Sequence, residues 1–246
     1  MDKEKEIFII IKEEALMEMV LSALEGFAIK NLEKKKYQNR YLEVYGLLWG
    51  SLVKYSGNDN DIENYIYTIS HLSIDTTAKR SKDSVESNDD ALILKKDVIT
   101  SFWPHYRFLG DFHTHPYKRR KNFDYKDIDK DKLYDFTKYD FAFIKDDAEF
   151  WYEHNYRVGV VMTIIDMQNK SDIIRQVKDN LIMFNLGNYR LWVKGYWVSY
   201  KKDKKNKIKA NVTDDVYLRC PYLTGMCEFL EFGKFRKGQH REGEIG

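Results

Sequence analysis

The spacing of apolar positions divides most of the chain into short strands and helices. Glu6 to Ile11 is a β-branched and aromatic run, the mark of a buried strand. Ala15, Leu16, Met19, Val20, Ala23, Leu24 and Phe27 then recur at three- and four-residue intervals. This predicts a helix whose acidic residues Glu13, Glu14, Glu18 and Glu25 lie largely off the apolar stripe. Lys34-Lys35-Lys36 falls near the end of that helix, where positive charge complements the exposed carbonyls. From Tyr41 to Val53 the pattern becomes a strand in which Gly46 and Gly50 permit close backbone approach. Ser56 to Asp61 is a turn-forming cluster, and Tyr65 to Ala78 alternates well enough to pair back as a hairpin.

Lys79 to Asp90 is polar and without apolar period, so it is expected to be a mobile loop. A second helix, carrying Leu92, Leu94, Val98, Ile99 and Phe102, should end before Pro104, and a strand should run from Arg107 to His115. Pro116 has no backbone donor and is expected to stop that strand. A helix from about Asp124 to Phe136 follows, with Asp124 as N-cap and Asp127 reaching back as in a capping box. Asp140 to Lys145 and Arg157 to Met167 read as strands. Ile173, Ile174, Val177, Leu181 and Ile182 allow a helix, and Tyr189 to Tyr200 with Ile208 to Val212 flank a lysine-rich hairpin tip. Arg236 to Gly246 is expected to fray. The alternation implies an α/β (α+β) protein, a mixed sheet flanked by helices.

With 246 residues, of which 43% are hydrophobic, the chain can bury one good core with a sizeable appendage. Its 41 basic and 39 acidic residues nearly cancel, so no whole-protein field calls for nucleic acid or a membrane surface. No apolar run reaches the ~20 residues of a membrane-spanning helix. Two cysteines and an N-terminus without a long apolar segment make the cytoplasm the expected compartment. Cys220 and Cys227, even with His240, supply at most three loosely placed metal ligands, and reduced thiols are the simpler expectation.

The chemistry concentrates in Gly110-Asp111-Phe112-His113-Thr114-His115-Pro116. On an extended chain residues i and i+2 share a face, so His113 and His115 point the same way. With Asp127 at a helix start they make two neutral nitrogens and one carboxylate oxygen, borderline ligands suited to zinc, with the fourth tetrahedral position left for water. Glu43, in Glu43-Val44-Tyr45-Gly46-Leu47-Leu48-Trp49-Gly50, precedes a strand able to pack beside the histidines and is the candidate base.

In ligand type, order and spacing, Glu43-x-x-Gly46-x-Leu48-x-Gly50, then His113-x-His115-Pro116, then Asp127 after an eleven-residue interval, resembles the JAMM/MPN metalloprotease signature. The resemblance covers roughly residues 5 to 165. It implies an MPN/cytidine-deaminase-like fold over residues 1–168, with 169–246 as a C-terminal extension completing or packing on it. It also implies one Zn²⁺ per chain, His113, His115 and Asp127 as ligands, and Glu43 as general base. The implied activity is hydrolysis of the amide bond after the C-terminal glycine of ubiquitin or a ubiquitin-like protein. The family has serine three residues before the metal Asp, where this chain has Asp124. A carboxylate there repels a developing oxyanion, and a lost oxyanion donor costs ~100-fold or more in turnover. A non-catalytic scaffold of the same fold, and a metal hydrolase for a different amide, are the rival expectations.

Overall fold

A computed structural model describes residues 4–29, 41–56, 62–81, 85–223 and 235–236. In chain order the strands are β1 (Glu4–Ile11), β2 (Tyr45–Ser56), β3 (Ile62–Ile74), β4 (Lys79–Arg80), β5 (Val85–Glu86), β6 (Arg107–Tyr117) and β7 (Tyr156–Asp166). They continue with β8 (Ile173–Lys178), β9 (Leu181–Leu186), β10 (Tyr189–Lys202), β11 (Ile208–Thr213), β12 (Tyr217–Arg219) and β13 (Phe235–Arg236). The helices are α1 (Glu13–Ala28), α2 (Asp89–Phe102), α3 (Tyr125–Asp131), α4 (Lys138–Asp146) and α5 (Ala148–Tyr152).

The protein is mixed α/β, built on one large curled sheet in the order β12-β1-β3-β2-β6-β7-β10-β9-β8-β13, with β11 also on β10. Strands β1 and β3 pair in parallel, as do β6 and β7, whereas β2 runs antiparallel to both its neighbours. The histidine strand β6 is therefore central, covered on both sides and buried almost throughout. Strands β8 to β12, from the segment expected as an extension, belong to this same sheet.

One face of the sheet buries α1 through Leu16, Met19, Ala23 and Phe27, packed with Ile9, Ile69, Leu109 and Val160. The opposite face holds Tyr45, Leu47, Trp49, Phe108 and Val198 beneath Ile144 of α4 and Trp151 of α5. A bulge in β6 decides which residues face which layer. Leu48 pairs with Gly110 but Trp49 with Phe108, so Leu109 is an extra residue that switches the face parity. Phe108 upstream and Asp111, His113 and His115 downstream thus share the α4 side. Gly110 is required beside this bulge because a Cβ there would lie 1.8 Å from the Val158 carbonyl oxygen.

Several expected elements form differently. Strand β6 runs through Pro116 to Tyr117. Thr114 donates its N–H to Val44 on the β2 side, so the missing donor of Pro116, two residues on, points where β2 has already ended. Residues 138–146 are a helix, not a strand, because Thr137 and Asp140 form a reciprocal capping box at its start. Residues 173–186 are the hairpin strands β8 and β9 rather than a helix, since their apolar residues fill both sides of a sheet. The expected loop from Lys79 contains the short β4–β5 pair. Helix α2 forms, yet only Leu92 of it is buried. Lys34 to Lys36, the turn tip at 57–61, Cys227, His240 and the expected frayed tail beyond 236 lie outside the described residues; Cys220 is a buried thiol. No helix among the described residues is long and apolar enough to cross a membrane.

A buried ion pair fixes the histidine strand to β7. Arg157 Nε and Nη2 donate to the two carboxylate oxygens of Asp111 at 2.6 and 2.8 Å, and the guanidinium lies 4.8 Å from the Trp151 ring centre. Burial opposes the arginine's charge, but Asp111 outweighs it and raises its pKa. Removing one partner of such a pair leaves a buried charge uncompensated, at a cost of about 3–5 kcal/mol. Arg157→Leu is therefore expected to lower the urea midpoint and reduce the melting temperature by about 10 °C. The Asp111→Leu/Arg157→Leu double variant should recover most of that loss. A double variant no more stable than the single would contradict the pairing.

Asp147 lies 3.9 Å from Nη1 of the same arginine. Burial pushes its pKa up to about 6, with Arg157 opposing and Asp111 adding to the rise. A carboxyl whose pKa is higher folded than unfolded binds more protons in the folded chain between about pH 4 and 6. Its contribution to stability is present in acid and lost as the pH rises through that window. Asp147→Asn should therefore match the parent near pH 4 and exceed it by about 1 kcal/mol at pH 7.5, after allowance for partial solvent screening. A less stable variant at pH 7.5 would mean that the carboxylate is needed by Arg157.

Candidate metal centre

The two histidines meet because β6 is extended beyond its bulge and presents both rings to one side. Their Nε2 atoms are 3.2 Å apart. The third group comes from α4, where Asp140 places Oδ1 3.1 Å from His113 Nε2 and Oδ2 3.4 Å from His115 Nε2. Asp140 is the third residue of that helix, held by its cap. Its Oδ2 accepts from the Thr137 backbone N–H at 2.6 Å and from Thr137 Oγ1 at 2.8 Å. The threonine thus fixes the orientation of the carboxylate, with Oδ1 toward His113 and Oδ2 shared between Thr137 and His115.

His113, His115 and Asp140 form a buried group that can hold a metal ion. Bonds of ~2.0–2.1 Å from a tetrahedral ion put neighbouring ligand atoms about 3.3–3.4 Å apart, since the tetrahedron edge is about 1.6 times the bond. The two ring nitrogens, 3.2 Å apart, lie close to that spacing. Each carboxylate oxygen of Asp140 sits near one of them, Oδ1 at 3.1 Å from His113 and Oδ2 at 3.4 Å from His115, and one ligand atom from each residue falls within 4.8 Å of the others. Charge follows the same logic. Burial opposes the charged form of His113, yet Asp140 beside it outweighs burial and raises its pKa. Burial lowers the pKa of His115, aided by repulsion from His113. Asp140 keeps its negative charge despite burial because the two imidazoles hold its carboxyl far below the usual range.

Glu43 lies just before β2, and the strand register carries it to the metal side. Tyr45 pairs with His113, and Thr114 exchanges hydrogen bonds with Val44 at 3.1 and 2.9 Å, which sets Glu43 opposite His115. Its backbone N–H donates to Ser81 O at 3.0 Å, anchoring this approach to the segment around β4. Glu43, His113, His115, Thr137 and Asp140 line one cavity of about 660 Å³. Glu43 acts electrostatically on His113 there, adding to the rise in its pKa.

Asp124 and Asp127 do not join this group. Asp124 caps α3 by accepting the Lys126 N–H at 2.7 Å, and Asp127 Oδ2 accepts the Asp124 N–H at 2.8 Å. The capping box expected from the sequence is present, but it turns both carboxylates onto the helix end, and the group that could hold a metal ion contains Asp140 in place of Asp127. The concern over Asp124 beside an oxyanion falls away for the same reason. The signal for Asp140 was the Thr137-x-x-Asp140 capping pattern ahead of Phe141-Ala142-Phe143-Ile144, hidden because that apolar run also suits a strand. The chain matches no family model, and no curated protein matches it.

Proposed function

We propose that this protein is a zinc-dependent amide hydrolase of the JAMM/MPN type, cleaving after the C-terminal glycine of a ubiquitin-like protein. The observation that carries the reading is the closely spaced His113, His115 and Asp140 group with Glu43 across the same cavity. His113, His115 and Asp140 are its ligands. When bound, the ion supplies a Lewis acid for the scissile carbonyl and lowers the pKa of a water toward ~7. Glu43 takes the proton of the attacking water and returns it to the leaving amine nitrogen. No covalent acyl-enzyme forms, so no nucleophilic Ser or Cys is required.

Asp140 keeps the ligand type and order of the family pattern but not its spacing, since it follows His115 by far more than the eleven-residue interval that Asp127 matched. The residue three before it is Thr137, a hydroxyl where the family pattern has serine, so the objection raised by Asp124 does not apply to this set. Thr137 lines the cavity, and its single hydroxyl proton is given to the Asp140 carboxylate, which it orients. The mixed sheet with α1 on one face and α4 on the other suits the MPN/cytidine-deaminase-like arrangement. A chelator-treated sample should not hydrolyse ubiquitin-like proteins bearing C-terminal extensions, and one equivalent of Zn²⁺ should restore hydrolysis. Cleavage unaffected by chelation, or none of any such substrate after zinc is returned, would remove this activity.

A further inference from the structure

We infer that a second, basic cavity beside the metal centre receives an acidic polypeptide segment flanking the scissile amide of the substrate. In calling that ligand a substrate, the inference rests on the hydrolase reading. The cavity, of about 760 Å³, opens where the segment after β6, the start of α3 and the start of β10 meet. Arg119, Arg120, Lys121, Lys126 and Arg190 line it, against one acidic residue, Asp124.

This charge is local. The whole chain carries a formal net charge of only +2, so such an excess in one concavity is not the spill-over of a basic protein. Neighbours cancel only part of it. Arg119 is paired with Asp166, Nε to Oδ2 at 3.6 Å, and Asp124 is engaged with the helix backbone. Arg190 interacts with Asp129 as well as with Asp124, which leaves Arg120, Lys121 and Lys126 as the lining cations without an ion pair among the described residues.

Arg190 makes the cavity more than a set of surface lysines. It is 8% exposed, its Nε donates to Asn185 Oδ1 at 2.9 Å, and its guanidinium sits 4.0 Å from the Tyr125 ring centre. A planar cation held on two sides loses little freedom when it binds a carboxylate. Burial pulls its pKa down, with Tyr125, Asp129 and Asp124 opposing, so an incoming carboxylate offsets a desolvation already incurred.

Arg120 ties this cavity to the chemistry, because it lines the metal cavity as well. A chain crossing the metal centre can continue past Arg120 into the second cavity. Carboxylates suit it better than nucleic acid, because Arg190 already covers a face of Tyr125, the aromatic ring of the lining that would otherwise offer a base a stacking surface.

The test is fluorescence anisotropy on the full chain, with and without zinc, using labelled ten-residue peptides rich in glutamate, glutamine or lysine and a ten-nucleotide oligothymidylate. The glutamate peptide should bind, more weakly as salt rises, and Arg120→Glu/Lys126→Glu should weaken it at least about tenfold. Both positions are exposed, so this variant reports binding even if Arg190→Ala fails to fold. Equal binding of glutamate and glutamine peptides, an unchanged Kd in the double variant, or tighter binding of the oligonucleotide would overturn the inference. A chain that binds the glutamate peptide but hydrolyses no amide loses the hydrolase reading and keeps the acidic-segment site. One that hydrolyses amides without binding the glutamate peptide does the reverse.

Discussion

Glu43→Gln is expected to lower turnover by about 10³-fold while zinc content and folding stay as in the parent, because general base catalysis is typically worth 10²–10⁴. Glu43 lies two residues before Tyr45, the partner of His113, and lines the same cavity as His113, His115 and Asp140, but is not one of that group. Glutamine preserves its size and removes only the ability to accept and return a proton. The measurement is kcat on an extended ubiquitin-like substrate beside metal analysis of the same sample. Unchanged kcat would take Glu43 out of the mechanism; lost zinc would make it a ligand.

Much of this site was legible because it depends on local rules. The two-residue period of a strand puts His113 and His115 on one face in any extended chain, and the structure sets their Nε2 atoms 3.2 Å apart. Glu43 required one further step, that its strand pair with the histidine strand, and the apolar run from Tyr45 to Trp49 supplied it. The β1–α1 unit, the β2–β3 hairpin and the β10–β11 hairpin likewise follow from short-range periodicity.

The third member of the His113–His115–Asp140 group was not legible from spacing. Two Asp residues each sit three positions after a capping residue, Asp127 after Asp124 and Asp140 after Thr137, and both capping boxes form. Local chemistry cannot rank them, because what separates them is tertiary. Helix α4 begins over the α4 face of the sheet, whereas α3 stands aside, with Ile128 in a separate cluster with Tyr134 and Trp192. The run Phe141 to Ile144 was ambiguous because an amphipathic helix of under three turns and a buried strand look alike at that length. Residues 173–186 failed for the same reason, since the apolar positions that suit a helical period also suit the short hairpins in which β8 pairs with β9 and β9 with β10.

The sheet also shows why a chain can keep these residues at such unequal intervals. The histidines need only β6, which β2 and β7 hold from both sides, while Asp140 needs only a helix start lying above them. The segment between, including α3, can vary in length without moving the ligands.

The central claim is that His113, His115 and Asp140, and not Asp127, hold one metal ion. Its most direct test is the zinc content and affinity of three purified proteins, the parent, Asp140→Ala and Asp127→Ala. The parent should carry one zinc per chain, Asp127→Ala should carry the same, and Asp140→Ala should bind at least about 100-fold more weakly, as expected when a ligand itself is lost. Full zinc in Asp140→Ala, or its loss in Asp127→Ala, would contradict the account.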